Sequence, residues 1–107
     1  MVIRQYSVYL VNLDPTQGSE MQKTRPCVVI SPDEMNHHIN TAQIAPLTSN
    51  RREYPWRCPI SFNNKDGAVA LDHIRSIDKS RIVRRLGTLQ LQEIQIIKSI
   101  IKEMLVD

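Results

Sequence analysis

With 107 residues the chain is long enough to close one hydrophobic core without disulfide or metal staples, and it reads as one domain spanning 1–107. A hydrophobic content of 41% with only 3 glycines excludes a disordered chain, and no apolar run approaches the roughly 18 residues that cross a bilayer. Residues 1–89 carry 12 Lys/Arg against 8 Asp/Glu and residues 90–107 carry 2 against 3, so the net charge of +3 lies on the body of the domain, as a polyanionic partner would require.

The N-terminal Met1–Tyr6 has no apolar core ahead of a small-residue cleavage site, which predicts a cytoplasmic protein rather than an exported one. Tyr6 to Leu13 is rich in β-branched and aromatic residues and reads as a strand. Asp14-Pro15-Thr16-Gln17-Gly18-Ser19-Glu20 ends it with turn-forming types and opens a polar loop to Thr24, long enough to imply a function of its own. Arg25 precedes Pro26 and is thereby biased to an extended backbone, after which Cys27 to Ile30 is an apolar run of the kind covered on both sheet faces. Pro32 to Asn36 fits one helical turn after Ser31, with Pro at its first position and Asp33 and Glu34 at its positive end.

Thr41 to Leu47 is the next strand, closed by Pro46 and Thr48-Ser49-Asn50, and Arg51 to Trp56 is a second polar loop. Arg57 to Phe62 and Ala68 to Ile77 read as short strands joined by a turn over Asn63–Gly67, with one more over Ile82 to Leu86. Only the end is helical: Leu91, Ile94, Ile97, Ile101 and Met104 recur at spacings of three and four. Gln90 is a poor N-cap there, while Glu93 stands where a capping box places its acid. Several short strands closed by one amphipathic helix predict a mostly β, α+β fold, a small SH3-like barrel with the C-terminal helix across it.

Cys27 and Cys58 lie in apolar stretches and read as buried reduced thiols, with a disulfide or a dimer link as the alternative. Neither has a second Cys or His at close ligand spacing, so no metal site and no cofactor are expected; His37-His38 read as surface residues.

RNA carries its own nucleophile, the 2′-hydroxyl, so cutting it without metal needs a base, an acid and donors for the phosphorane oxygens. Arginine suits the last task through its permanently charged planar fork, and a threonine hydroxyl adds a neutral donor. Arg25, Thr48 and Glu20 form such a set, if the fold brings them together. Each also has an ordinary reading, respectively as a solvated strand-entry residue, a turn cap and a loop acid beside Lys23. Arg51, Arg52, Tyr54 and Trp56 mix basic and aromatic side chains on one loop, which suits phosphate contact with base stacking, or else Trp56 folds back on the core. Arg75, Lys79, Arg81, Arg84 and Arg85 read as a solvated surface that raises the general field.

Leu13-Asp14-Pro15-Thr16-Gln17-Gly18-Ser19-Glu20 followed by Thr24-Arg25-Pro26-Cys27-Val28-Val29-Ile30-Ser31 resembles the signature of the MazF/PemK toxin ribonucleases. Pro46-Leu47-Thr48-Ser49, Asp66 to Asp72, Ile74 to Ile77 and Leu86 to Leu89 extend the resemblance in order over nearly the whole chain. It implies the SH3-like barrel shared by MazF, PemK and CcdB toxins, a homodimer, and metal-free cleavage of single-stranded mRNA to 2′,3′-cyclic phosphate and 5′-hydroxyl ends. It also implies a cognate acidic antitoxin that plugs the groove, with operator DNA bound only in the antitoxin complex and no membrane partner.

By that resemblance Arg25 and Thr48 are catalytic and Glu20 assists, while Gln17, Ser19, Ser49, Arg51, Arg52, Trp56 and Asp72 contact RNA. The chain departs from the pattern at Ala70, where some members carry an arginine paired with the acid matching Asp72, and at His73, usually Gln. The competing readings are a CcdB-like gyrase-binding toxin, against which the ending Met104-Leu105-Val106-Asp107 speaks, and a plain nucleic-acid-binding barrel.

Overall fold

A computed structural model describes residues 2–13, 24–49 and 54–106. Among them, strands β1 (Ser7–Asn12), β2 (Thr24–Val29), β3 (Thr41–Thr48), β4 (Arg57–Phe62), β5 (Lys65–Ala70), β6 (Arg75–Asp78) and β7 (Ile82–Thr88) form one curled sheet. Its order is β4-β5-β3-β2-β1-β7, every pairing is antiparallel, and β6 joins on β3. Short helix α1 (Asp33–His38) links β2 to β3, and α2 (Leu91–Ile101) follows β7 and packs on β4. The mostly β, half-barrel architecture with one C-terminal helix is the one the strand-and-helix pattern predicts.

The alternation of side chains along the central strands fills two cores, one on each face. Val8, Val28 and Ala45 point to the face that α2 covers with Ile97 and Ile100, where Cys58, Val69 and Leu71 join them. Tyr9, Cys27, Val29 and Ile44 point the other way and meet Ile77 of β6 and Ile82 of β7, which curl over that side. Two register shifts in the β1–β7 pairing, after Val8 and after Leu10, produce the bend that this curl requires. Cys27, Val28 and Val29 are therefore all fully buried, as an apolar run without alternation predicts.

Several boundaries differ from the sequence reading. Tyr6 adopts a left-handed φ of 65° and precedes β1 instead of belonging to it. Pro32 is extended, with ψ 153°, so it stands before α1 and not at its first position. Pro46 does not close β3; it pairs with Cys27 of β2 while the strand runs on to Thr48. On the opposite edge it falls between the stretch of β3 paired with β6 and that paired with β5, an interval that tolerates a missing N–H.

The stretch Ala68–Ile77 is two strands, because a 3-10 turn over Leu71–His73 turns the chain from β5 to β6. The turn before it is only Asn63-Asn64, both left-handed with φ of 52° and 62°. Along α2 the buried positions are Glu93, Ile97 and Ile100, while Leu91 is 69% and Met104 42% exposed. Glu93 is buried because its carboxylate accepts from the backbone N–H of Gln90 at 2.9 Å and of Ser61 at 3.1 Å, capping the helix and tying it to β4. Beyond Ile101 the helix ends in a π-type turn over Lys102–Val106.

Candidate active site

Arg25 lies near the start of β2, exposed, with Val11 of β1 as its cross-strand neighbour. The β2–β3 pairing runs Val29↔Ile44, Val28↔Ala45, Cys27↔Pro46, so Arg25 on β2 and Thr48 on β3 each stand two residues past its last pair. Side chains two apart on a strand share a face, so Arg25 has the face of Cys27 and Thr48 that of its partner Pro46. Two residues far apart in sequence thus stand just past the same end of one ladder.

Thr48 is held by β5, where it pairs with Ala68. The close approach there depends on Gly67: a Cβ at that position would lie 2.6 Å from the Thr48 carbonyl oxygen. Thr48 and exposed Ser49 form part of the wall of a pocket of about 290 Å³, which also touches Pro26, the residue after Arg25.

Asp72 sits on the 3-10 turn after β5, and its carboxylate accepts two hydrogen bonds from the Arg57 guanidinium, Nε to Oδ1 and Nη2 to Oδ2, both 3.2 Å. Arg57 occupies the β4 position directly across from Ala70, the site of the departure noted in the sequence. Hydrogen bonding by Arg57 holds the Asp72 carboxyl below the ordinary carboxylate value, against a smaller opposing effect of burial. His73 Nε2 lies 3.4 Å from Asp72 Oδ2 on the exposed side. A carboxylate so engaged is a poor proton acceptor at neutral pH, and its geometry suits positioning.

The Arg57 guanidinium also stands over the Tyr54 ring at 5.1 Å, and Tyr54 stacks on Trp56 at 4.9 Å with planes 10° apart. Trp56 is 40% exposed, intermediate between the two sequence readings: one flank rests on Tyr54, and a shallow recess separates it from Ile100 and Met104 of the C-terminal helical segment. The aromatic step was visible in the sequence; the ion pair behind it was not, because Arg57 and Asp72 are joined only by strand pairing.

Glu20, Gln17, Ser19, Arg51 and Arg52 lie outside the described residues. Both cysteines are free and buried, Cys27 with its thiol pushed up to about 12 and Cys58 to about 11, in each case chiefly by burial. Arg25 and Arg75 oppose the shift at Cys27, which places both cations near that thiol. The β3–β6 register sets Arg75 across from Ile44, on the same sheet face as Arg25, a placement that its reading as general surface charge missed. His37 and His38 are exposed at the end of α1. Among the described residues no three His, Cys, Asp or Glu side chains cluster as metal ligands, and no helix is long and apolar enough to cross a membrane.

Comparison with known proteins matches residues 4–105 to the family described as PemK-like, MazF-like toxin of type II toxin–antitoxin system. The endoribonuclease toxin MazF of Escherichia coli K12 is 34% identical over 90 residues, which cover 83% of this chain and 81% of that protein. Among solved structures, MazF of Deinococcus radiodurans superposes with a TM-score of 0.82 at 26% identity, covering 100% of this chain and 99% of the other. A MazE–MazF structure from the same organism gives 0.85 at 26% identity over 99% and 97% of the two chains.

Proposed function

The chain belongs to the PemK-like, MazF-like toxin family of type II toxin–antitoxin systems, and from that premise we propose that it is an endoribonuclease toxin acting on single-stranded mRNA in the cytoplasm. It cuts without metal, works as a homodimer, and is neutralised by a cognate acidic antitoxin; operator DNA is bound only in that complex. The observation that supports the reading is that Arg25 and Thr48 each stand two residues past the same end of the β2–β3 ladder, beside a pocket touched by Pro26 and Thr48. A CcdB-like gyrase binder has no use for that pair.

In the proposed reaction the substrate 2′-oxygen attacks its neighbouring phosphorus, the bond from phosphorus to the 5′-oxygen breaks, and a proton passes to that leaving oxygen. The products are a 2′,3′-cyclic phosphate and a 5′-hydroxyl. Arg25 grips the phosphate through its planar fork and stabilises the charge that accumulates on the equatorial oxygens. The Thr48 hydroxyl donates a further hydrogen bond to the same group. Glu20 assists as proton acceptor or by orienting Arg25, while Gln17, Ser19, Ser49, Arg51, Arg52 and Trp56 hold the flanking nucleotides. Asp72 acts through its pair with Arg57, shaping the charge beside the site.

The test is incubation with a long single-stranded RNA in EDTA, with chemical analysis of the ends. Discrete fragments bearing cyclic phosphate and 5′-hydroxyl termini are expected. Cleavage that stops in EDTA and returns with added Mg²⁺ would overturn the metal-free mechanism.

A further inference from the structure

The 3-10 turn that carries Asp72 ends on His73, whose Nε2 lies 3.4 Å from Asp72 Oδ2. That same oxygen accepts from Arg57 Nη2, so the carboxylate has a guanidinium on one flank and an imidazole on the other. Side-chain exposure rises along the trio, from 14% at Arg57 through 31% at Asp72 to 63% at His73. The imidazole is therefore the member that an arriving ligand meets.

Hydrogen bonding by Arg57 keeps Asp72 ionised above about pH 5, so these two charges cancel. Histidine is the side chain that changes charge between pH 5 and 8. The turn packs on β3, β4 and α2. Strand β3 has no ionisable side chain, β4 brings Arg57 and the buried Cys58, with Tyr54 just before it, and α2 brings Glu93 and Lys98. Glu93 is committed to the Gln90 and Ser61 N–H groups, and Lys98 stands over the Tyr6 ring. On the flanking strands, Lys65 and Asp66 open β5, Asp78 closes β6, and Arg75 follows His73 by two residues as a constant positive charge. Among these groups only His73 alters the local charge near neutrality: the trio is neutral with a neutral ring and +1 with a protonated one.

We infer that His73 is an acid-dependent phosphate contact, which presents a cation and a second N–H donor to the RNA backbone when protonated and leaves a neutral ion pair when not. RNA affinity therefore rises as pH falls through the histidine range. The inference rests on the endoribonuclease reading above, in which RNA runs past Asp72. Glutamine, the usual residue here in the family pattern, offers a donor at every pH but no charge.

The experiment is filter binding of a 2′-O-methyl oligonucleotide, which lacks the attacking hydroxyl, by the full chain between about pH 8 and about pH 5.5. It compares wild type with His73→Gln and His73→Lys, with thermal melting of each at both ends of the range. Wild type should gain roughly fivefold more affinity on acidification than His73→Gln, the worth of one unit charge about 4 Å from a phosphate in water. His73→Lys should bind at the alkaline end as wild type does at the acid end. The salt dependence of wild type should steepen by about 0.7 on acidification, as one added contact to a single strand requires. His37 and His38 stay in every variant, so the difference between variants is the readout. Equal pH dependence in wild type and His73→Gln overturns the inference and leaves the endoribonuclease reading intact. So does an equal loss of affinity at both pH values with a lowered melting temperature, which would make His73 a structural residue. A wild-type protein that neither binds this probe nor cuts RNA at any pH defeats the underlying reading.

Discussion

Arg57 stands directly across the β4–β5 ladder from Ala70, and its guanidinium reaches along the strand to hold Asp72 with two hydrogen bonds of 3.2 Å. Position 70 carries alanine, and the Arg–Asp pair beside this turn forms from the neighbouring strand. Cross-strand neighbours sit close enough for a long side chain to reach past a small residue opposite. Because Arg57 spends its fork on Asp72, its charge is neutralised locally and unavailable as a free phosphate contact.

Replacing Arg57 with Ala should therefore weaken RNA binding by uncovering the Asp72 carboxylate, which then repels the phosphates. The slope of log affinity against log salt should change by much less than the roughly one unit expected when a phosphate contact is removed. Arg57→Ala/Asp72→Ala should bind more tightly than Arg57→Ala alone. Filter binding across a salt series measures all three; a double variant no better than the single one contradicts the neutralising pair.

Arg25→Ala should lose roughly two to three orders of magnitude in single-turnover cleavage, the usual cost of one transition-state donor. RNA affinity should fall far less, since other cations still meet the backbone. Arg25→Lys keeps charge without the fork and should recover only part of the rate. Thr48→Ala should be damaging but milder. A folded Arg25→Ala protein cutting at near the wild-type rate would remove Arg25 from the site.

Gly67→Ala tests the scaffold of that site. Its new Cβ would meet the Thr48 carbonyl oxygen at 2.6 Å, so β5 and β3 must separate. A loss of about 1–3 kcal/mol is expected, the range for overpacking a close contact. Cleavage per folded molecule should fall too, because Thr48 moves. Urea unfolding beside activity decides it; an unchanged midpoint and rate would mean the strands yield without cost.

Five apolar side chains of the C-terminal segment are exposed: Leu91, Ile96, Met104, Leu105 and Val106. The proposed homodimer would cover part of this surface. Sedimentation at micromolar concentration should give twice the 12.4 kDa chain mass. A monomer under those conditions would contradict the dimer.

The thiols predict an alkaline limit to stability. Cys27 is raised to about 12 and Cys58 to about 11, above the value of roughly 8.5 in an unfolded chain. The unfolded state thus releases these protons first, so the stabilisation is complete below pH ~8.5 and is lost as pH rises through the raised values. Between about pH 9 and 11, Cys27→Ala should make the fall of stability with pH shallower by up to roughly 1.4 kcal/mol per pH unit. Denaturant titrations over that range measure it, and identical slopes in variant and wild type would show that Cys27 does not contribute.

The sequence by itself determined the elements whose signals are local. Strands β1 and β4 and helix α2 follow from residue type and periodicity within one segment, and the buried strand at Cys27–Val29 follows from an apolar run. Arg25 and Thr48 were legible as chemical types and through an ordered series of motifs. Tertiary structure decided what depends on pairing. It brought Arg25 and Thr48 to the same end of the β2–β3 ladder, let Pro46 sit inside a strand that changes neighbours along one edge, and split Ala68–Ile77 at the turn bearing Asp72. It chose Glu93 over Leu91 for burial, because two backbone N–H groups, one from another strand, satisfy the carboxylate. It also joined Arg57 to Asp72 across the space left by Ala70, since antiparallel register makes neighbours of residues that no local pattern connects.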